Sequence, residues 1–295
     1  MSVLVCENIC KDNEIIKNFS YNYLDNKIYG FIGKNDSKVE ELFEMISGNS
    51  KPKSGNIYID GEDLYDNDLN NLNIKERVFY LPQALSYFNH SSILKIISRL
   101  SKDYPKWDNA YAYQLLRSYN ININSLYGKL TEREQSITLG VFALASKANI
   151  TIMNLPLKYA DIKDKYDFFK ALYSDHELYH RTLLINTDFI DDITYLLDKI
   201  IFFDKGRMFA QFTTEEINEN FKYISGKTEV LKSLMNGVKV IGYEDLGKTL
   251  TVCVRQKLSK DDIRKYQKYM IKISDVPIHN IYVYLINLRE IKVKF

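Results

Sequence analysis

Tyr29-Gly30-Phe31-Ile32-Gly33-Lys34-Asn35-Asp36-Ser37-Lys38-Val39-Glu40-Glu41-Leu42-Phe43-Glu44-Met45-Ile46-Ser47-Gly48 is the stretch that decides the fold. A short apolar run, residues 27–32, ends in Gly33. After a polar loop, apolar residues recur at helical spacing and stop at Gly48, where a C-cap would sit. That pattern predicts strand, loop, helix. A further strand is expected at residues 55–59, closing on the tight-turn dipeptide Asp60-Gly61, and a first one at residues 3–6.

Outward from this unit, residues 91–147 carry helical periodicity, broken at Tyr104-Pro105 before a segment at residues 108–119. Short apolar strands follow at residues 150–153, 182–185 and 199–203, the last ending in the turn Asp204-Lys205-Gly206. Strands alternating with helices predict a mainly parallel sheet with helices packed on it. After Gln211 the rhythm changes, with a helix expected at residues 214–220 and strands at 249–255 and 291–295. The reading is an α/β domain over residues 1–211 and a small α+β domain over residues 212–295.

Composition removes several classes of function. Forty Lys+Arg against 38 Asp+Glu leave a net charge of +2, which gives no basis for a nucleic-acid partner. The 23 Tyr and 15 Phe lie scattered in apolar stretches, as core residues do. Cys6, Cys10 and Cys253 are too few and too poorly spaced for a disulfide framework or a zinc site. No run approaches the roughly 20 apolar residues that span a bilayer, and the start lacks signal-peptide features, so an intracellular protein is expected. His176 and His180 stand at i, i+4 on an expected helix but lack a third ligand, and are read as a surface pair.

The order of the pieces resembles the ATP-binding subunits of ABC transporters. Residues 29–35, then Ser47-Gly48, then Lys51-Pro52-Lys53-Ser54-Gly55-Asn56-Ile57-Tyr58-Ile59-Asp60-Gly61 resemble their phosphate-loop region. Tyr80-Leu81-Pro82-Gln83 looks like the Q-loop, and residues 201–207 look like the strand and turn that close the domain. The resemblance covers about the first 210 residues. It implies a RecA-like core with an inserted helical subdomain at about residues 83–149. Tyr104-Pro105-Lys106-Trp107-Asp108 and the C-terminal extension resemble a Gram-positive exporter subgroup, similar to the acetoin-utilisation and phenol-soluble modulin transporter ATPases.

The residues that would handle ATP depart from that family. A working phosphate loop needs glycines, a lysine for the phosphates and a hydroxyl for Mg²⁺. In the ungapped alignment of Gly33-Lys34-Asn35-Asp36-Ser37-Lys38-Val39-Glu40, Asp36 and Lys38 replace glycines, Val39 replaces the lysine and Glu40 the hydroxyl. Glu40 and Glu41 put carboxylates in a first helical turn, where the helix dipole favours negative charge and where phosphate would bind.

Asn154 and Leu155 stand at the two Walker B carboxylate positions, and Asp188 at the switch histidine. The signature segment reads Leu130-Thr131-Glu132-Arg133-Glu134, in which Thr131 keeps a hydroxyl and Arg133 could offer one charge. Near Lys11-Asp12-Asn13-Glu14 the adenine-stacking aromatic is missing. Gln83 and Asp161, at the Q-loop and D-loop positions, match the family and are expected to serve coupling.

The resemblance therefore implies a degenerate ATP-binding subunit with no catalytic residues and no cofactor expected. It would act as a coupling, structural or regulatory partner of a membrane permease, and possibly of an intact ATP-binding subunit, at the cytoplasmic face of the membrane. The alternative is an exporter ATPase with residual ATP and Mg²⁺ chemistry at an atypical site using Lys34 or Lys38 with Asp188. A third reading is a ligand sensor that binds through the C-terminal domain.

Overall fold

The structure is a computed structural model that describes residues 2–12, 15–34, 36–66, 76–81 and 88–290. It divides into two compact units, Met1–Asp188 with Leu196–Ala210, and Phe189–Tyr195 with Gln211–Phe295. The neighbouring boundary in the sequence lies inside strand β10 (Arg207–Thr213), which carries the chain from one unit to the other.

Two sheets build the first unit. β1 (Ser2–Cys10), β2 (Phe19–Leu24), β4 (Ser54–Ile59) and β5 (Glu62–Asp63) form an antiparallel sheet in the order β2-β1-β4-β5. β3 (Ile28–Ile32), β6 (Val78–Leu81), β7 (Ile150–Asn154), β8 (Thr182–Asn186) and β9 (Lys199–Asp204) run parallel to one another, in the order β10-β9-β3-β8-β7-β6. β3 and β7 are buried at every position, as central parallel strands covered on both faces must be. The Asp60-Gly61 turn forms, with both residues at positive φ, 51° and 84°, joining β4 to β5 in a two-residue hairpin.

Helix α1 (Val39–Ile46) packs among residues of both sheets. Val39, Leu42, Phe43 and Ile46 recur on one face, and with Met45 they are buried beside Phe31, Ile57, Ile152 and Leu184. Each such side chain contributes about 1.5–3 kcal/mol on burial, enough to hold a helix of only two turns. The tyrosines serve this core too. Tyr21, Tyr23 and Tyr29 form a ring cluster with centroids 4.6–5.9 Å apart, and Leu24 donates its N–H to the Tyr29 hydroxyl at 2.7 Å.

Between β6 and its neighbour β7 the chain inserts helices α2 (Ile93–Asp103), α3 (Asn109–Ser118) and α4 (Glu132–Ala145). The Tyr104-Pro105-Lys106-Trp107-Asp108 segment fastens this insertion to the sheet. Tyr104 donates its hydroxyl to Val78 O at 3.3 Å, Lys106 reaches Asn149 Oδ1 at 2.7 Å, and Asp108 N donates to Ala145 O at 2.9 Å while its carboxylate caps α3. Gln83, the expected start of the insertion, lies outside the described residues. Helix α5 (Ile162–Tyr179) joins β7 to β8.

The second unit contains strand β11 (Phe221–Lys227), helix α7 (Thr228–Leu234), strands β12 (Val240–Asp245) and β13 (Thr249–Arg255), helix α8 (Lys260–Lys268) and strand β14 (Lys272–Asp275), preceded by α6 (Thr214–Asn220). Its sheet is antiparallel in the order β12-β13-β11-β14. That is the βαββαβ, ferredoxin-like arrangement, in which α7 and α8 each form the crossover between two strands that are not neighbours, β11 to β12 and β13 to β14. Its core gathers Ile224, Leu231, Leu250, Val252, Val254 and Tyr266. A last helix, α9 (Ile278–Glu290), brings Tyr284 so close to Gly242 that a Cβ there would meet its ring at 2.1 Å. The strand expected at residues 291–295 lies outside the described residues.

Candidate functional site

β3 delivers Gly33 to a tight turn at the carboxyl edge of the parallel sheet. A Cβ on Gly33 would stand 2.4 Å from Ser37 Cβ and Oγ and 2.8 Å from Phe203 O, so the turn closes only on glycine. Ser37 is buried, donates its N–H to Lys34 O at 2.8 Å, and accepts from Gly206 N at 2.9 Å. Gly206 itself has φ +78° in the turn after β9, where a Cβ would meet Ile15 O at 1.9 Å. Asn35 lies outside the described residues, and Asp36 is exposed.

Lys38 sits just before α1 in the left-handed region, at φ 73°, a conformation that costs a side chain about 1 kcal/mol and that glycine adopts freely. Its ammonium is 3.3 Å from Glu41. The helix therefore starts at Val39, which turns into the apolar core at 1% exposure. Glu40 follows in the first turn. Burial, then its neighbours Glu44 and Glu41, push its carboxyl above the ordinary range against the pull of Asn154 and Lys158.

Asn154 ends β7 opposite Asn186 at the end of β8, and Asn186 Nδ2 donates to Asn154 Oδ1 at 2.8 Å. The Asn154 side chain is buried, and its Nδ2 lacks a well-formed hydrogen bond while it eases the ionisation of both Glu40 and Tyr80. The Tyr80 hydroxyl is also buried without a partner of good geometry, and burial, then Glu40, holds its proton more firmly than usual. Leu155 turns away at φ +48° and donates its N–H to Asn186 O at 2.8 Å. Glu40, Tyr80 and Asn154 are thus brought together. Nothing in the spacing of the sequence joins Tyr80 to this group.

The signature segment folds as a helix start. Thr131 accepts from Glu134 N at 3.3 Å and Glu134 accepts from Thr131 N at 2.8 Å, a capping box that opens α4. Gln135 Nε2 donates to Leu130 O at 3.2 Å, and Glu132 is exposed. Arg133, expected to be able to offer a charge, has a partner within the chain. Its guanidinium donates two bonds, at 2.6 and 2.7 Å, to the buried Asp164 carboxylate of α5, and this pairing makes the arginine hold its proton still more firmly. Fork-to-carboxylate geometry satisfies both partners inside the chain. Asp164, 31 positions away, was not among the residues expected at the site.

Asp161 caps α5, accepting from Asp164 N at 2.8 Å. Asp188 is exposed, with Lys165 at 4.0 Å. His176 is buried at 7% exposure and burial lowers its basicity, so the surface-pair reading is corrected, since this face of α5 packs inward; His180 ends the helix at φ 50°. Among the described residues no group of three or more His, Cys, Asp or Glu side chains could hold a metal ion.

A strand-turn-helix at the carboxyl edge of a parallel sheet, a helical insertion before β7 and an antiparallel sheet in the same unit make up the RecA-like fold of ABC cassettes. Solved structures agree with that fold. A structure of the ATP-binding subunit of an ABC transporter superposes with a TM-score of 0.65 at 15% identity, covering 74% of this chain and 92% of that one.

In sequence the chain is similar to the ABC transporter ATP-binding protein YtrB of Bacillus subtilis (strain 168), 21% identical over 210 residues, 71% of this chain and 70% of that protein. It is also 22% identical over 239 residues to the ABC transporter ATP-binding protein MJ0089 of Methanocaldococcus jannaschii, covering 78% and 92% of the two chains. No protein-family model matches the chain. Its fold is that of the ABC cassettes, and its sequence is similar to those of ABC transporter ATP-binding proteins.

Proposed function

We propose that this chain is an ABC-type ATP-binding subunit whose nucleotide chemistry is lost, serving as a coupling, structural or regulatory partner of a membrane permease or of a competent ATPase subunit. The observation that carries the reading is Glu40. A carboxylate in the first turn of α1, with Glu41 and Glu44 beside it and the Asn154 amide against it, stands where the resemblance puts the hydroxyl that holds Mg²⁺. Two unit charges 4 Å apart at an effective dielectric near 20 repel by about 4 kcal/mol, so a phosphate there meets a strong opposing field. Val39 is spent in the core, and Leu155 and Asn154 offer no carboxylate. These residues do not fit Mg²⁺–ATP.

In this reading the helical insertion meets the permease and the chain lies at the cytoplasmic face of the membrane through that partner, with Gln83 and Asp161 as coupling residues. Among the described residues no helix is long and apolar enough to cross a membrane. Tyr104-Pro105-Lys106-Trp107-Asp108 supports placement in the Gram-positive exporter subgroup. Against residual catalysis, Lys38 is held by Glu41 and Asp188 points to solvent.

The test is calorimetric titration of the whole chain with Mg²⁺–ATP, in parallel with Glu40→Gln. Silence from the unaltered chain is expected. Heat of micromolar binding by it would overturn the inactive reading and support an atypical ATPase. Binding gained only by Glu40→Gln would identify that carboxylate as the block.

A further inference from the structure

The second unit contains a cleft of about 520 Å³ bounded by α6, α8, β11 and β14. That size is within the range of small-molecule sites. Its walls are aliphatic, from Leu258, Ile263, Ile271 and Ile273, and they continue the core of this unit outward to solvent. Two carboxamides, Asn218 and Gln267, also face the space. The Lys257 ammonium and the Glu219 carboxylate meet at its rim, 2.7 Å apart, both well exposed. A second lysine, Lys222, lines it with Asp275 as its partner.

We infer that this cleft binds a small zwitterion with an aliphatic body, of the class of free leucine, through the opened Lys257–Glu219 pair. Charge decides the class. Each lysine at the cleft is matched by one carboxylate, so a lone anion or a lone cation would gain one partner and be repelled by that partner's mate. A zwitterion gives Lys257 a carboxylate and Glu219 an ammonium, and leaves the total at zero. The exposed pair contributes little to stability and opens readily. The aliphatic body then covers Ile263, which is 37% exposed without it, and removes apolar surface from water. This site is independent of the phosphate-loop region and does not rest on the loss of nucleotide chemistry.

The experiment is titration calorimetry of the whole chain with L-leucine, set beside 4-methylpentanoate, which keeps the anion alone, isopentylamine, which keeps the cation alone, and L-serine, which lacks the aliphatic body. Leucine is expected to bind with Kd on the order of 100 μM, and each analogue at least about tenfold more weakly. Lys257→Ala and Glu219→Ala should each weaken leucine by about tenfold or more with an unchanged melting temperature. Ile263→Trp, which fills the cleft from an exposed position, should abolish binding while the circular dichroism spectrum is kept. No heat with leucine up to about 10 mM, or equal binding of 4-methylpentanoate, would overturn the proposal.

Discussion

Asn186 donates its side-chain amide to the Asn154 carbonyl oxygen at 2.8 Å, across the ends of two neighbouring parallel strands. The bond consumes the acceptor of Asn154 and leaves its Nδ2 toward Glu40 and Tyr80, a neutral donor at a place where the resemblance expects a carboxylate. Asn154→Asp would set a buried carboxylate beside the exposed one of Glu40. Urea unfolding should show a loss of about 1–3 kcal/mol at neutral pH, and Glu40→Gln in the same chain should recover part of it. An unchanged stability would mean that the two side chains do not share a field.

Glu40 itself is expected to oppose folding when ionised. Its carboxyl is raised in the folded chain by burial and by Glu44 and Glu41, so the folded state holds the proton more tightly than the unfolded one. Stability from this group therefore declines as pH rises through the ordinary carboxyl range to the raised folded value. Glu40→Gln should gain roughly 0.5 kcal/mol at neutral pH, an exposed-side figure, and nothing in acid. Denaturant midpoints at both pH values decide it.

Arg133 and Asp164 should respond unequally to truncation, because the arginine side chain is 40% exposed and the aspartate only 7%. Asp164→Ala frees a guanidinium that can turn to water. Arg133→Ala strands a buried carboxylate and should cost about 1–3 kcal/mol, the larger loss of the two. Thermal melts of both variants check the order.

Lys147 and Arg181 share one carboxylate, Asp175, with all three side chains at most 5% exposed. The rings of Tyr111 and Tyr179 lie over the Lys147 ammonium at 4.0 Å, and burial weakens the hold of both basic groups on their protons. Asp175→Asn should lose about 3–5 kcal/mol, since two buried cations lose their counter-ion. Lys147→Met should cost much less, because the Asp175–Arg181 pair survives. Equal losses would refute the shared-anion account.

Within the second unit Asp191 caps α9 from 87 positions away, accepting the Ile278 N–H, and lies 2.5 Å from His279 Nδ1. Burial works against its ionisation, but the His279 ring and the backbone N–H groups outweigh it and bring the carboxyl below the ordinary range. A depressed carboxyl contributes stability above its unfolded value that is lost as pH falls through the folded one, here below about pH 4. Asp191→Asn should flatten that acid limb. Hydrogen exchange of the first turn of α9 reads it directly.

Much of the framework is legible in the linear pattern. Gly33, the apolar spacing of Leu42, Phe43 and Ile46, the Asp60-Gly61 turn and the apolar strands before Asn154 and Asn186 each state a local rule that the fold obeys. β2 is not legible there although its residues alternate, buried then exposed, because a lone run with Ser20 and Asn22 on its outer face reads as loop until β1 pairs with it.

The sequence alone determined the parallel-sheet core and the amide and aliphatic side chains that end β7 and follow it, Asn154 and Leu155, since those depend on period and on residue identity. It also marked α6 and β13 in the second unit, residues 214–220 and 249–255. Only the tertiary structure decided that Lys38 adopts the left-handed turn outside α1, that Arg133 is consumed by Asp164, that His176 is buried, and that β11 to β14 assemble as a ferredoxin-like sheet. Those outcomes depend on which distant groups meet, and pairing energies between residues tens of positions apart leave no periodic trace along the chain.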